Sequence, residues 1–140
     1  MPNAVITVLD TPSEEDHLAI LNPLLAFNDA QTGNDGYEQI GIMLKDEAGQ
    51  SVGGLWAKLY YDWLFVELLF VPENLRGGDF GTKLLAQAER IAREKSCIGI
   101  WLDTFSFQAP GFYEKKGYER FGVLDNYPRG GKRFFFRKVF

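Results

Sequence analysis

A glycine-rich turn carrying one arginine, Arg76-Gly77-Gly78-Asp79-Phe80-Gly81-Thr82, separates the apolar run Leu69-Phe70-Val71 from a stretch with helical spacing. Such a turn aims several backbone N–H groups, and the positive end of a helix, at one phosphate group. It therefore predicts a phosphorylated ligand. Elsewhere Asp62 and Glu67 stand near Tyr60, Tyr61 and Trp63, carboxylates and π faces that together suit a cationic amine. Metal chemistry is not expected, because the chain has one histidine, His17, in an acidic helix start, and one cysteine, Cys97. Cys97 opens an apolar run with no histidine near it in sequence, which reads as packing rather than as a nucleophile.

The elements that must position these residues follow from periodicity. Residues 5–9 are short, β-branched and alternating, and predict a strand. Ser13-Glu14-Glu15-Asp16 predicts a helix start, with an oxygen cap and acids in the first turn. The helical pattern runs on through Leu18, Leu21, Leu24 and Leu25, with Pro23 placed to kink or split it, and residues 28–36 read as a loop. Strands are expected at Glu38–Lys45, 51–61 and 63–71, the first two joined by a hairpin turn at residues 46–50. Residues 79–95 predict the longest helix, with Phe80, Leu84, Leu85, Ala88, Ile91 and Ala92 on one face. A buried strand at 97–102, a short helix at 109–116 closed by Gly117, and closing strands at 118–123 and Lys132–Val139 complete the series. The order β-α-β-β-β-α-β-α-β-β implies a mixed α/β (α+β) sheet in one domain over residues 1–140.

The totals narrow the partners. A chain of 140 residues with 46% hydrophobic residues can bury its own core. No apolar run is long enough to span a bilayer, and the N-terminus lacks a secretory signal, so no membrane is expected and the chain reads as cytoplasmic. Residues 1–70 hold 11 Asp/Glu against 2 Lys/Arg, a balance of −9, while residues 71–140 balance at +5. A basic half suits a polyanionic ligand and an acidic half a cationic one. The net charge of −4 argues against nucleic acid. The aromatic closing strand Phe134-Phe135-Phe136, read as a sheet edge, is compatible with a homodimer.

Several glycine signatures fail here: neither G-x-x-x-x-G-K-[ST] nor G-x-G-x-x-G is present, and Asp79-Phe80-Gly81 lacks the other parts of a kinase. Val71-Pro-Glu-Asn-Leu-Arg76-Gly-Gly-Asp-Phe-Gly81-Thr instead resembles the acetyl-coenzyme A turn of the GNAT superfamily of N-acetyltransferases. Downstream, Ala109-Pro-Gly-Phe-Tyr113-Glu-Lys-Lys-Gly117-Tyr118 is similar to a second segment of that family, at a fitting distance. The resemblance runs from about Glu38 to the C-terminus. Residues 103–109 and the Tyr127-Pro128 loop look like those of small bacterial members of the general type.

The resemblance implies transfer of an acetyl group from the cosubstrate acetyl-coenzyme A to an amine of a small molecule or peptide, by direct attack. It implies that the fourth and fifth strands, 63–71 and 97–102, splay apart. Backbone groups of Leu69, Phe70 and Val71 would then pair with the pantetheine arm, and a backbone N–H near Leu69 would polarise the thioester carbonyl. N–H groups from Arg76, Gly77, Gly78, Asp79, Phe80, Gly81 and Thr82 would hold the pyrophosphate. Ser106 stands where many relatives carry a cofactor-binding asparagine.

Tyr113 matches the proton donor to the leaving thiolate. Glu67, sharing strand parity with Leu69 and Val71 and set among apolar side chains that raise a carboxylate's pKa, is the first candidate base, through a water. Asp103 is the second and Asp62 the third. Tyr61, Asp62 and Asp103 are expected to meet a cationic acceptor such as a polyamine, an aminoglycoside-like amine or a lysine side chain.

Asp79 departs from the family pattern, which has glycine there. Its carboxylate favours the helix start but repels a diphosphate, and a positive φ would strain it unless Gly78 takes the flexible position. A weak or inactive protein that binds coenzyme A or a protein partner is therefore the alternative reading.

Overall fold

The computed structural model describes residues 2–140, in two compact units that divide between Asp35 and Gly36. Among the described residues of the first unit, the only regular element is helix α1 (Glu14–Thr32). Its start is fixed by reciprocal caps: the Asp16 N–H donates to Ser13 Oγ at 3.1 Å and the Ser13 N–H to Asp16 Oδ2 at 2.9 Å. The Ser13 N–H and hydroxyl hold the Asp16 carboxyl below its usual pKa. Pro23 lies inside the helix, which continues past it to Thr32, so the loop expected from residue 28 begins only at Gly33. Residues 5–9, expected as a strand, form no regular element.

The second unit is a six-stranded mixed sheet with two helices. Its strands are β1 (Glu38–Lys45), β2 (Ser51–Tyr60), β3 (Trp63–Phe70), β4 (Gly99–Phe105), β5 (Glu119–Asp125) and β6 (Lys132–Val139), in the order β1-β2-β3-β4-β6-β5. All neighbours are antiparallel except β3 and β4, which are joined through α2 (Phe80–Glu94) and run parallel. The pair expected to splay is therefore the third and fourth strands of the chain. Helix α2 buries Leu84, Leu85, Ala88 and Ala92 against Leu64, Val66, Ile100 and Leu102. The short helix α3 (Pro110–Lys115) packs Phe112 and Tyr113 against the same core.

Two expectations fail for tertiary reasons. Strand β6 is not an edge: β5 folds back outside it, and Phe134 and Phe136 lie in the core, so the reason given for a homodimer is lost. The alternation of β3 is broken by a bulge, since Trp56 pairs with Leu68 but its neighbour Ala57 pairs with Val66. Glu67 is the extra residue. It faces Lys58, on the side away from Leu69 and Val71, and does not share their face.

Candidate active site

Strands β3 and β4 pair over only four positions, from Trp63 with Gly99 to Val66 with Leu102. Beyond these β3 continues to Phe70 and β4 to Phe105 without a shared ladder. The opening is a cleft of about 1030 Å³ lined by residues 66–70 of β3 and Val71 after it, most of the glycine-rich turn, 102–104 of β4, and Phe112 and Tyr113 of α3. On the side facing β4, the backbone of β3 past Val66 is an unpaired edge, the kind of edge an extended ligand joins as an added strand.

The turn is built in two steps. A single 3₁₀ turn, Glu73–Leu75, ends at Arg76, whose N–H donates to Glu73 O at 3.2 Å. Gly77 then takes φ +87°, a left-handed conformation that glycine adopts without strain. The N–H groups of Phe80, Gly81 and Thr82 open α2 without intrahelical acceptors, and Lys83 N–H is the first to find one, Asp79 O at 2.9 Å. The donors for an anion are thus those after Arg76. The Arg76 Nε donates to Val71 O at 2.9 Å and ties the turn to the end of β3, so both the Arg76 N–H and the Val71 carbonyl are engaged within the chain. Lys115 and Lys116 reach the cleft from α3 and add positive charge.

Asp79 itself takes φ +61°, ψ +18°, and its side chain makes no cap bond. Gly78 has not absorbed the left-handed position. The strain is modest, about 1 kcal/mol, since Asp tolerates this region better than most residues. Asp79→Gly is expected to tighten acetyl-coenzyme A binding roughly threefold to tenfold by removing a carboxylate from the anion turn. Calorimetry with the two proteins tests this, and equal or weaker affinity in the variant means that the carboxylate is accommodated.

Tyr113 lines the cleft, its ring flanked by Phe112 at 5.1 Å and Phe136 at 5.8 Å. Burial, helped by the Asp103 carboxylate, pushes its hydroxyl up to about 12. Burial, with Glu89 adding, raises Tyr118 as well. The charged form of tyrosine is the deprotonated one, so the folded state holds these protons more tightly than the unfolded state does. The resulting stability is complete below the ordinary value near 10.0 and declines as pH rises toward 12. An alkaline titration followed by phenolate absorbance is expected to leave Tyr113 and Tyr118 silent until the chain unfolds; their ionisation with the exposed tyrosines contradicts the burial described.

The carboxylates are partnered. Glu67 Oε2 lies 3.0 Å from Lys58 Nζ, and this contact holds the Lys58 ammonium above its usual pKa. The purely apolar surroundings expected for Glu67 are therefore not what the fold provides. Asp103 Oδ1 accepts from Arg133 Nη2 at 2.7 Å and Nε at 3.0 Å, and the guanidinium lies over Tyr127 at 4.8 Å and Phe105 at 5.4 Å. Arg133 and Lys58 were not legible as site neighbours, since each meets its partner only through strand register.

Gln108 is another residue the sequence reading passed over. Its Oε1 accepts from Thr104 Oγ1 and Phe105 N, both at 2.8 Å, and so closes the end of β4 beside the cleft.

Four expected site residues do not line the cleft: Gly78, within the turn itself, and Tyr61, Asp62 and Ser106, which stand apart from it. Tyr61 and Asp62, with φ +48° and +66°, form the tight turn between β2 and β3, at the end of β3 opposite the glycine-rich turn. The Asp62 carbonyl accepts from Ile98 N at 2.7 Å. Ser106 accepts from Lys132 N at 3.0 Å through its hydroxyl, and its N–H donates to Lys132 O, which joins the loop after β4 to β6. Among the described residues, no cluster of His, Cys, Asp and Glu could hold a metal ion, and no helix is long and apolar enough to cross a membrane.

A parallel pair that opens onto a glycine-rich helix start, with a half-buried tyrosine across the gap, suits an extended ligand with an anionic end. The chain belongs to the acetyltransferase (GNAT) family, whose pattern it matches over residues 7–118. It is 37% identical over 115 residues to acetyltransferase Atu2258 of Agrobacterium fabrum, covering 82% of this chain and 84% of that protein. It is 44% identical over 85 residues to blasticidin-S acetyltransferase of Streptomyces morookaense, covering 60% and 62% of the two chains. A crystal structure from Agrobacterium tumefaciens superposes with a TM-score of 0.92 at 34% identity, covering 98% of this chain and 100% of that one.

Proposed function

We propose that this acetyltransferase takes its acetyl group from acetyl-coenzyme A and delivers it to an amine of a small molecule, by direct attack within the cleft. The observation that carries the reading is the divergence of β3 and β4 immediately before the α2 N-terminus. The residues fit the cosubstrate: an open strand edge suits its amide-bearing arm, and the N–H groups of Phe80, Gly81 and Thr82 suit its diphosphate. When bound, acetyl-coenzyme A supplies an activated thioester. Tyr113, protonated at neutral pH, is held to give its proton to the departing sulfur. In this reading Glu67, on the bulge and paired with Lys58, accepts the ammonium proton, and the phenolate left on Tyr113 is reprotonated from solvent. Asp103, neutralised by Arg133, orients the acceptor's polar groups rather than binding a bare cation.

The likeness to blasticidin-S acetyltransferase favours a small polar amine over a protein. A transfer screen across amine classes, reading released thiol and including blasticidin S, tests the proposal. Acetylation resistant to hydroxylamine is expected, which separates an amide from an ester product. No heat and no thermal shift with acetyl-coenzyme A overturn the reading. That outcome instead supports a protein without turnover, for which the Asp79 carboxylate in the anion turn is the motivating feature.

A further inference from the structure

The loop that follows β4 is clipped back onto the strand by one side chain. Gln108 Oε1 accepts from Thr104 Oγ1 and from Phe105 N–H, both at 2.8 Å, and the Gln108 N–H donates to Phe105 O at 3.0 Å. Thr104 is buried, so the clip is anchored in the core. A backbone N–H can only donate, so the atom it meets is the amide oxygen, and the orientation of the Gln108 amide is fixed. The nitrogen is then the free end. Nε2 has no hydrogen-bond partner among the described residues, and it belongs to a side chain that lines the cleft.

The opposite wall of the cleft is the unpaired edge of β3. The amide groups of an extended chain point alternately to either side, so a ligand arm that pairs with β3 turns its next polar group toward β4. An amide oxygen shielded from water there needs a donor. On that wall the Thr104 hydroxyl and the Phe105 N–H are both engaged by Gln108, and the Asp103 carboxylate only accepts. The Ser106 N–H is engaged by Lys132 O. The Gln108 amide takes up two donors of the wall and presents two N–H groups in their place.

We propose that Gln108 is a cosubstrate-binding residue: its Nε2 donates to an amide oxygen of the arm of acetyl-coenzyme A, across the cleft from β3. Thr104 is the residue that positions it. The inference rests on the reading of acetyl-coenzyme A as the acetyl donor. The arm is then held from two sides, by backbone groups of β3 and by one immobilised side-chain amide beyond the end of β4.

Calorimetry with coenzyme A on full-length chains tests this, with thermal unfolding followed in parallel. Gln108→Met, of similar length but without the amide, is expected to bind at least about fivefold more weakly, the effect of one net hydrogen bond. Gln108→Glu keeps an oxygen for Thr104 and Phe105 but loses the N–H donors. It is expected to melt like the natural chain and still bind about fivefold more weakly in about 0.5 M salt, where the added charge is screened beyond about 4 Å. Thr104→Val is expected to weaken binding about twofold to threefold, and Thr104→Ser to restore it, since a hydroxyl is again present to hold Oε1. Thr104→Val/Gln108→Met is expected to bind no more weakly than Gln108→Met alone, because Thr104 acts only through Gln108. Natural affinity in Gln108→Met overturns the proposal while leaving the donor reading in place. Natural affinity in Gln108→Glu overturns it too, because closure of the loop is then all that matters, and so does an additive loss in the double variant. A natural chain that gives no heat with coenzyme A overturns the donor reading itself.

Discussion

Tyr113→Phe is expected to lower turnover by roughly 100-fold while leaving the affinity for coenzyme A unchanged, the size of effect typical of losing one positioned proton donor. The substitution removes one oxygen and keeps the ring, so the contacts with Phe112 and Phe136 survive and the cleft keeps its shape. On the proposed mechanism, only the proton offered to the leaving thiolate is lost. The natural enzyme should show no alkaline loss of activity from this group until pH nears 12, because burial holds the phenol protonated. Steady-state kinetics with a saturating amine, beside calorimetry with coenzyme A, measures both quantities. An unchanged turnover number removes Tyr113 from the chemistry and returns it to the core.

The largest effect on stability is expected at Phe136. This side chain is fully buried at the middle of β6, pairs across strands with Leu102 of β4, and stacks obliquely on Tyr113 at 5.8 Å. Arg120 also lies over its ring, at 5.8 Å. Phe136→Ala removes the ring from a packed interior and is expected to cost about 3–5 kcal/mol, from lost transfer energy and from the cavity left behind. Equilibrium denaturation in urea measures it, and an unchanged slope keeps the comparison between like states. Because the ring supports Tyr113 from behind, the variant should also lose turnover in excess of its unfolded fraction at low temperature. A loss below about 1 kcal/mol contradicts the packing described.

What could be read from the sequence was what is local. The bounds of β1 and β6 fell where alternation and turn residues put them, and α2 was marked by its apolar stripe and by the glycines before it. The glycine-rich turn was legible because the backbone N–H groups it leaves without acceptors depend on the neighbouring few residues. Features decided by distant chain were not legible. The bulge at Glu67 exists only in the register between β2 and β3, so strand parity put the carboxylate on the wrong face. The partner of Asp103 lies 30 residues away on β6. Residues 5–9 have the composition of a strand and form none, and Phe134-Phe135-Phe136 looked like an edge because nothing local announced that β5 would fold back outside it.

The closed end of the seam between β3 and β4 has a bearing on the donor. Four residue pairs hold the two half-sheets together there, and at Gly99 an added methyl would come within 2.7 Å of the Trp63 ring and 2.6 Å of the Lys138 carbonyl. The seam is thus too tight for any side chain at position 99, and Gly99→Ala is expected to disturb the spacing of the cleft walls while leaving Tyr113 and Asp103 unchanged.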